Sequence, residues 1–158
     1  MSKFQLKDQT CLIDDEDTDL LENRWRLQRS KNSNVYYVMR SIYSPKRATL
    51  ALHRLILQRV LNRDLVKGEE VDHKNRIGTD NRRENLRLAS SSQNGANKIL
   101  KKDNTSGYKG VFKHRNKWQA QIRVNGKDKY LGLHETPELA HAAYIEEAVK
   151  QFGEFARE

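Results

Sequence analysis

The chain has 158 residues, of which 36% are apolar and 32% charged, and its 30 Lys and Arg against 21 Asp and Glu give a formal net charge of +9. This length predicts one large domain or two small ones. No stretch approaches the roughly 18 consecutive apolar residues that cross a bilayer, and residues 1–7 lack the apolar core of a signal peptide, so we expect a soluble, cytoplasmic protein with no membrane partner. The single cysteine, Cys11, excludes an intramolecular disulfide and a multi-cysteine zinc cage. The positive charge suits a polyanionic partner such as DNA.

The amino-terminal segment is not part of the basic surface, because the first 30 residues hold seven acids and five bases. Within residues 1–45, β-branched and aromatic residues predict short strands at Thr10–Ile13, Trp25–Leu27 and Val35–Ile42. The sequence assigns no chemistry to residues 1–45. We therefore expect an amino-terminal region of short strands whose role is undefined.

The middle of the chain, residues 46–102, is predicted to be an α+β domain. Apolar residues at helical spacing indicate a helix, and the polar, turn-forming residues 99–107 indicate a linker with a domain boundary near Asp103. The carboxy-terminal domain would then cover residues 103–158. The predicted elements of the middle domain are a helix at Thr49–Leu61, a strand ending at Val71–His73, a strand at Leu86–Leu88 and a helix at Ser92–Leu100.

Four polar residues of this domain form an ordered set. Asp72 and His73 are adjacent at a predicted strand end, and Asn85 and Asn94 follow in the next strand and helix. A nuclease that uses one divalent ion needs a base near the attacking water, a hard-oxygen metal site and a group that fixes the base. Carboxylate and amide oxygens favour Mg²⁺ or Mn²⁺ over zinc. Each residue alone also fits a turn or loop, but the set favours catalysis.

Residues 71–97, with this set in this order, resemble the H-N-H endonuclease family, and most closely the phage homing endonucleases that carry Asn at the third position. The resemblance implies a beta-beta-alpha metal motif that cuts DNA with one bound Mg²⁺ or Mn²⁺ ion per active site and no zinc. It implies that His73 is the general base and that Asn85 is the amide that orients it. It also implies that Asp72 and Asn94 are the metal ligands.

Other residues near the motif have less specific roles. We expect mutual hydrogen bonds among Asp80, Arg82 and Glu84 to stabilise the loop. His53 lies in residues 52–56, which also resemble the helix before the H-N-H motif; we expect it to be structural, with DNA or metal contact as the alternative. Candidates for phosphate contacts are Arg76, Arg83, Arg87 and Lys98.

The carboxy-terminal part alternates strictly between apolar and polar residues over Lys117–Val124. The Asn125-Gly126 pair then predicts a tight hairpin, and Gly107–Lys113 can pair on the other side to give a three-stranded antiparallel sheet. Thr136 and Pro137 begin a helix whose small residues allow close packing on that sheet. We expect one apolar face against the helix and one cationic, amide-bearing face toward DNA.

This region also resembles the Apetala-2, or ethylene-response-factor, DNA-binding domain, through Ser106–Val111, Lys117–Arg123, Leu131-Gly132 and Thr136–Tyr144. The resemblance covers about residues 104–158 and implies that the outer sheet face contacts DNA, although the shortened loop here prevents transfer of a plant sequence preference. A three-stranded sheet can lie in the major groove. The residues predicted to bind DNA are Lys109, Lys113, Arg115, Lys117, Gln121, Arg123, Lys127 and Tyr130.

The fold class predicted from these features is α+β, and the predicted function is a metal-dependent, site-directed DNA endonuclease of the homing type. The resemblance implies a phage-encoded enzyme that acts on double-stranded DNA in the host cytoplasm. One site contacts one phosphodiester, so a monomer would nick, and a homodimer or two successive events would cut both strands. The alternative is a non-catalytic, sequence-specific DNA-binding regulator. An RNA-binding module has little support, because few aromatic residues are available for base stacking.

Overall fold

The computed structural model describes residues 1–31, 33–43, 45, 47–98, 100 and 103–157. The chain forms two compact units, residues 1–89 and residues 90–158. This division comes before the boundary predicted near Asp103, because a helix at residues 91–97 packs against the carboxy-terminal helix of the second unit. Several residues at the predicted domain and linker boundaries lie outside the described ranges, namely Lys46, Ile99, Lys101, Lys102 and Glu158.

The described residues of the first unit form small antiparallel sheets and an α-helix. Its elements are strands β1 (Ser2–Leu6) and β2 (Gln9–Ile13), a 3₁₀-helix (Asp15–Glu22), strands β3 (Arg26–Arg29), β4 (Tyr36–Ile42) and β5 (Ala48–Ala51), helix α1 (Leu52–Leu61), and strands β6 (Glu69–His73) and β7 (Leu86–Ser90). Strands β1 and β2 form a hairpin, β3, β4 and β5 form a sheet in that order, and β6 pairs with β7. The helix predicted from Thr49 starts only at Leu52, because Thr49, Leu50 and Ala51 pair with β4.

One apolar core joins the amino-terminal strands to the predicted nuclease segment. Cys11, Ile13 and Val38 from the first strands pack in the same buried cluster as residues of α1, β6 and β7. The pKa of the Cys11 thiol is raised to about 11 by burial. The amino-terminal strands, whose role the sequence leaves undefined, therefore contribute to the core that also contains α1, β6 and β7. The core members contributed by the motif side are Leu52, Ile56, Leu57, Val71 and Leu86.

The β1–β2 hairpin also holds the loop between β6 and β7. The Leu12 N–H donates to the Thr79 carbonyl at 2.9 Å, and the Asn81 N–H donates to the Leu12 carbonyl at 2.9 Å. Leu12 and Asp80 thus form an isolated parallel bridge. This backbone pairing holds the loop that follows His73 against the hairpin.

The second unit contains helix α2 (Ser91–Asn97), strands β8 (Val111–His114), β9 (Lys117–Val124) and β10 (Lys127–His134), and helix α3 (Pro137–Phe152), followed by a 3₁₀-turn (Gly153–Phe155). The sheet order is β10-β9-β8 with antiparallel pairing, so the predicted three-stranded sheet is confirmed. Thr136 caps α3 as predicted, by accepting from the Leu139 N–H. The face of α3 that packs on the sheet buries Ala140, Tyr144 and Ala148. None of the helices in the described ranges is long and apolar enough to cross a membrane.

Gly110 is the tightest position of this unit. Its φ is +70°, and a Cβ there would lie 2.1 Å from Cδ2 of Tyr144 and 2.6 Å from the Gln121 carbonyl oxygen. We expect Gly110→Ala to destabilise the second unit by about 3 kcal/mol or more, since the left-handed backbone and the overpacked ring both oppose the methyl group. Urea unfolding followed by the fluorescence of Trp118 in a Trp25→Phe background measures this loss.

Gly95 provides the matched control. It lies in α2, and a Cβ there would meet nothing within 4 Å. Because alanine favours helix over glycine, Gly95→Ala is expected to leave stability unchanged or raise it by up to about 1 kcal/mol. Equal unfolding midpoints for the two variants would contradict the assigned packing of Gly110.

Candidate active site and DNA-binding face

The end of β6 positions Asp72 and His73. Both are buried, with 4% and 5% of their surface exposed. The Lys74 N–H donates to the Asn85 carbonyl at 2.8 Å and so joins the end of β6 to the start of β7. On β7, Arg87 donates from Nε to Oδ2 of Asp72 at 2.8 Å, and this ion pair is also buried. Arg87, which the sequence predicts to contact phosphate, therefore orients the Asp72 carboxylate.

The amide of Asn85 holds the loop that follows His73. Its Oδ1 accepts from the Asn75 N–H at 3.0 Å, and its Nδ2 donates to the Asp80 carbonyl at 2.8 Å. Both bonds reach backbone atoms of the loop, one near its start and one near its middle. Any orienting effect of Asn85 on His73 therefore acts through the loop backbone.

The imidazole of His73 lies among aromatic rings and polar side chains. Its ring centre is 5.8 Å from that of Tyr37 and 4.9 Å from that of His53. Burial lowers the pKa of His73, and the side chain of Asn81 and the carboxylates of Asp72 and Asp80 oppose that shift in part. A lowered pKa keeps the imidazole neutral at neutral pH, which is the form that accepts a proton.

Sequence reasoning assigned no role to Tyr37 or Asn81. Tyr37 lies on β4, and its pKa is raised by burial and by the charge of Asp72. Asn81 is fully buried, and its Nδ2 donates to the Thr79 carbonyl at 3.2 Å. Neither position has a spacing that links it to His73, so only the three-dimensional structure reveals these neighbours.

His53 packs its ring edge against His73 at an interplanar angle of 74°. It also lies 5.6 Å, centre to centre, from the Tyr37 ring. Burial, followed by the charges of His73 and Arg54, lowers the pKa of His53 to about 3. The His53 side chain is thus uncharged at neutral pH and packs against His73.

The low pKa of His53 predicts a pH dependence of folding. In the unfolded chain a histidine titrates near about 6.5, so between that value and about 3 the unfolded state binds the additional proton. Stability is therefore fully present above about 6.5 and is lost as the pH falls, by up to about 1.4 kcal/mol per pH unit. Between pH 7 and pH 5 we expect the wild type to lose about 2 kcal/mol more than His53→Gln. Urea unfolding at both pH values, followed by Trp25 fluorescence in a Trp118→Phe background, checks this, and equal losses would contradict it.

The expected hydrogen bonds within the loop are confirmed. Arg82 donates from Nε and Nη2 to the two oxygens of Asp80, each at 2.8 Å, and from Nη1 to Glu84 at 2.6 Å. Asn75 adds a bond to Asp80 at 2.7 Å. Although burial raises the pKa of Asp80, the bonds from Arg82 and Asn75 outweigh it, and the net shift is downward. The ionised carboxylate of Asp80 therefore stabilises the loop through these hydrogen bonds.

Arg83 is held by acids of the amino-terminal 3₁₀-helix. It donates from Nε and Nη2 to the Asp17 carboxylate at 2.8 and 3.0 Å and also pairs with Glu16. Asp17 is fully buried and receives a further contact from Arg59 at 3.5 Å. The sequence predicts that Arg83 contacts phosphate; the structure gives it a part in the packing of the first unit. Asp17 and Arg83 are 66 residues apart, so sequence spacing could not reveal this pair.

The fourth residue of the predicted set, Asn94, lies on α2 in the second unit. A capping box begins this helix, because the Ser90 side chain accepts from the Gln93 N–H and the Gln93 side chain accepts from the Ser90 N–H. At the other end, Lys109 donates from Nζ to the carbonyls of Ala96 and of Lys98, the latter at 3.0 Å. A cation at a helix carboxyl end is favourable, so Lys109, predicted to bind DNA, stabilises α2.

The strand register divides the predicted DNA contacts of the sheet between its two faces. Val111 and Ala120 lie opposite each other and are buried, which identifies the side that faces α3. Because side chains alternate along a strand, the odd-numbered residues of β9 lie on the outer face, together with the β10 residues opposite them. The predicted contacts on this outer face are Lys117, Gln121, Arg123 and Tyr130.

The other predicted contacts lie elsewhere. Lys113 is opposite Trp118 on the helix side, with its Nζ 4.4 Å from the ring centre, and Lys127 is opposite Val124 on the same side. Arg115 lies in the turn between β8 and β9 with a φ of 53°. The count of basic residues therefore overstates the charge of the outer face, and DNA contact by these side chains stays a prediction.

Residues 50–96 match the sequence model of the family described as HNH endonuclease. The match includes all four residues of the predicted set, Asp72, His73, Asn85 and Asn94. No curated protein and no solved structure matches the chain. The chain thus carries an HNH endonuclease domain at residues 50–96, and this domain supports its assignment as a DNA nuclease.

Proposed function

We propose that the protein is a metal-dependent DNA endonuclease of the phage homing type, directed to its target by an Apetala-2-like carboxy-terminal domain. The observation that carries the proposal is the buried Asp72–His73 pair at the end of β6, followed by a loop closed by Asn85, within the segment that matches the HNH family. A buried carboxylate next to a buried neutral imidazole is a costly arrangement for a purely structural strand end.

His73 supplies the base. Its neutral imidazole takes a proton from the water that attacks the phosphodiester. Tyr37 and His53 pack against its ring and limit its rotation. Asn85 holds the following loop closed, so His73 keeps its place at the end of β6.

Asp72 and Asn94 are the proposed ligands of a single Mg²⁺ or Mn²⁺ ion. A carboxylate and an amide oxygen are hard donors of the kind these ions prefer. Arg87 fixes the Asp72 carboxylate through the bond to Oδ2. When bound, such an ion stabilises the charge that develops on the phosphate and on the leaving 3′ oxygen. The expected products carry 5′-phosphate and 3′-hydroxyl ends.

The second unit supports the proposed targeting through its outer sheet face. Lys117 pairs with Glu135 at 2.6 Å and Arg123 with Asp128 at 3.4 Å, and all four side chains are exposed. Exposed ion pairs of this kind contribute little to stability, so phosphates can replace the carboxylates at small cost. Contacts with phosphates would position the duplex against the sheet.

The test is cleavage of end-labelled duplex DNA by the purified chain with Mg²⁺, with Mn²⁺ and with EDTA. Native and denaturing gels, run side by side, separate double-strand cuts from nicks. Metal-dependent breaks with 5′-phosphate and 3′-hydroxyl ends are expected, with discrete fragments that locate the target. Binding without breaks on several bound duplexes would reject the nuclease and favour the alternative, a non-catalytic DNA-binding regulator.

A further inference from the structure

We infer that the outer face of the β8–β9–β10 sheet selects A·T base pairs, reading adenine with Gln119 and Gln121 and the thymine methyl group with the apolar side chains beside them. The inference rests on the proposed binding of duplex DNA by the second unit. It adds the chemical class of target sequence, which neither the charge nor the number of strands determines.

The first observation is an apolar patch at the centre of this face. Phe112 and Leu133 lie opposite Gln119, one on each side, and Tyr130 lies opposite Gln121. Phe112, Tyr130 and Leu133 are 53%, 58% and 43% exposed. Large apolar side chains grouped on an exposed face of a highly charged protein indicate a binding surface.

The second observation is a linked pair of amides within that patch. Gln119 donates from Nε2 to Oε1 of Gln121 at 3.1 Å. This bond fixes the direction of both carboxamides before DNA arrives, which lowers the entropy lost on binding. A glutamine carboxamide matches the N6 donor and N7 acceptor of adenine, and the thymine methyl beside it favours an apolar contact such as Phe112.

The guanidinium group that would favour guanine is absent from the centre of the described face. Arg123 lies at the end of β9, and its Nε contacts Asp128 at 3.4 Å and the Gly126 carbonyl at 3.4 Å. Arginine is the commonest reader of guanine, whereas the amides and apolar groups here match A·T pairs. The composition of the centre therefore favours A·T over G·C.

The dimensions of the strand agree with this division. Residues two apart on a strand are separated by about 6.7 Å, which corresponds to about two base-pair steps of about 3.4 Å each. Gln119 and Gln121 thus address a short central run of base pairs. Lys117 and Arg123, at the two ends of the outer face of β9, are about 20 Å apart and suit flanking phosphates.

The first experiment is selection of duplexes from a randomised library by the full chain in EDTA at fixed salt, where metal-dependent cleavage cannot remove the bound DNA. We expect an A·T core in the selected sequences. Duplexes with that core should bind about 5- to 150-fold more tightly than the same duplexes with a G·C core, the range found for one good base contact. Fixed salt matters because phosphate contacts alone change with ionic strength.

The second experiment removes single groups from both partners. Replacing thymine by uracil removes the methyl group, and replacing adenine by 7-deazaadenine removes N7. Wild type should lose affinity several-fold with each, while Phe112→Ala should be insensitive to uracil and Gln121→Ala insensitive to 7-deazaadenine. Gln151→Ala is the matched control, because Gln151 is exposed on α3 and bonds only Glu147 among the described residues.

Three outcomes are distinguishable. An A·T core whose preference is lost in Gln121→Ala and Phe112→Ala, but not in Gln151→Ala, supports the inference. Binding with a G·C core, with no base preference, or with a preference that both variants retain overturns it and leaves DNA binding intact. Failure to bind any duplex overturns the proposed targeting function itself. Circular dichroism of each variant excludes loss of folding as the cause. Gln119→Ala tests the second amide of the pair in the same way.

Discussion

Replacing His73 by alanine is expected to lower the rate of DNA cleavage by about 10²–10⁴-fold, the contribution of a positioned general base. The imidazole is buried at the end of β6, packs against the rings of Tyr37 and His53, and has a lowered pKa. A water molecule would not replace a base in this position. The measurement is the single-turnover rate on end-labelled duplex with saturating Mg²⁺, beside the affinity for that duplex in EDTA. Affinity should stay close to that of the wild type.

Ile77→Ala is the matched control for this variant. Ile77 lies in the same loop and is 54% exposed, and its backbone N–H, which donates to Asn75, is kept. Its cleavage rate should remain near that of the wild type. If His73→Ala cut DNA as fast as Ile77→Ala, the role of His73 as the base would be refuted.

Replacing Asp17 by alanine is expected to destabilise the first unit by about 3 kcal/mol, because its fully buried carboxylate accepts charged hydrogen bonds from the partly exposed Arg83. Asp17 is fully buried, and its loss leaves the guanidinium of Arg83 without the carboxylate that accepts two of its bonds. Urea unfolding followed by Trp25 fluorescence in a Trp118→Phe background reports the change. Trp25 is itself buried, and its indole N–H donates to the Leu20 carbonyl at 2.8 Å, within the same 3₁₀-helix.

Asp19→Ala distinguishes burial from charge. Asp19 pairs with Arg59 at 2.6 Å, but 57% of its side chain is exposed. Removal of this exposed pair should change stability by about 1 kcal/mol or less. A loss in Asp17→Ala as small as that in Asp19→Ala would show that the acidic helix does not anchor the first unit.

Local sequence patterns predicted much of the fold. The alternation in β9, the Asn125-Gly126 turn and the Thr136 cap each depend on neighbours a few residues away, and each appears in the structure. The start of α1 was predicted three residues too early. There, antiparallel pairing of Thr49–Ala51 with the preceding strand β4 overrides the helical preference.

The candidate site was only partly predictable, because its contacts are distant in sequence. Motif spacing identified Asp72, His73 and Asn85, but Tyr37 and His53 reach His73 through the packing of β4 and α1. The number of basic residues alone does not show which face of the sheet each one occupies. The strand register assigns each residue to a face: Lys113 lies opposite Trp118 and therefore on the helix side.

The contact between the amino-terminal segment and the loop after His73 also limits when this loop can fold during translation. The Arg83 N–H donates to Asp14, which precedes it by 69 residues. At about 5–20 residues per second, translation needs about 3–14 s to cover that separation, so the β1–β2 hairpin is made long before its partners exist. Contacts so distant along the chain also slow folding. The loop after His73 therefore gains this contact with the amino-terminal segment only after synthesis has passed Arg83.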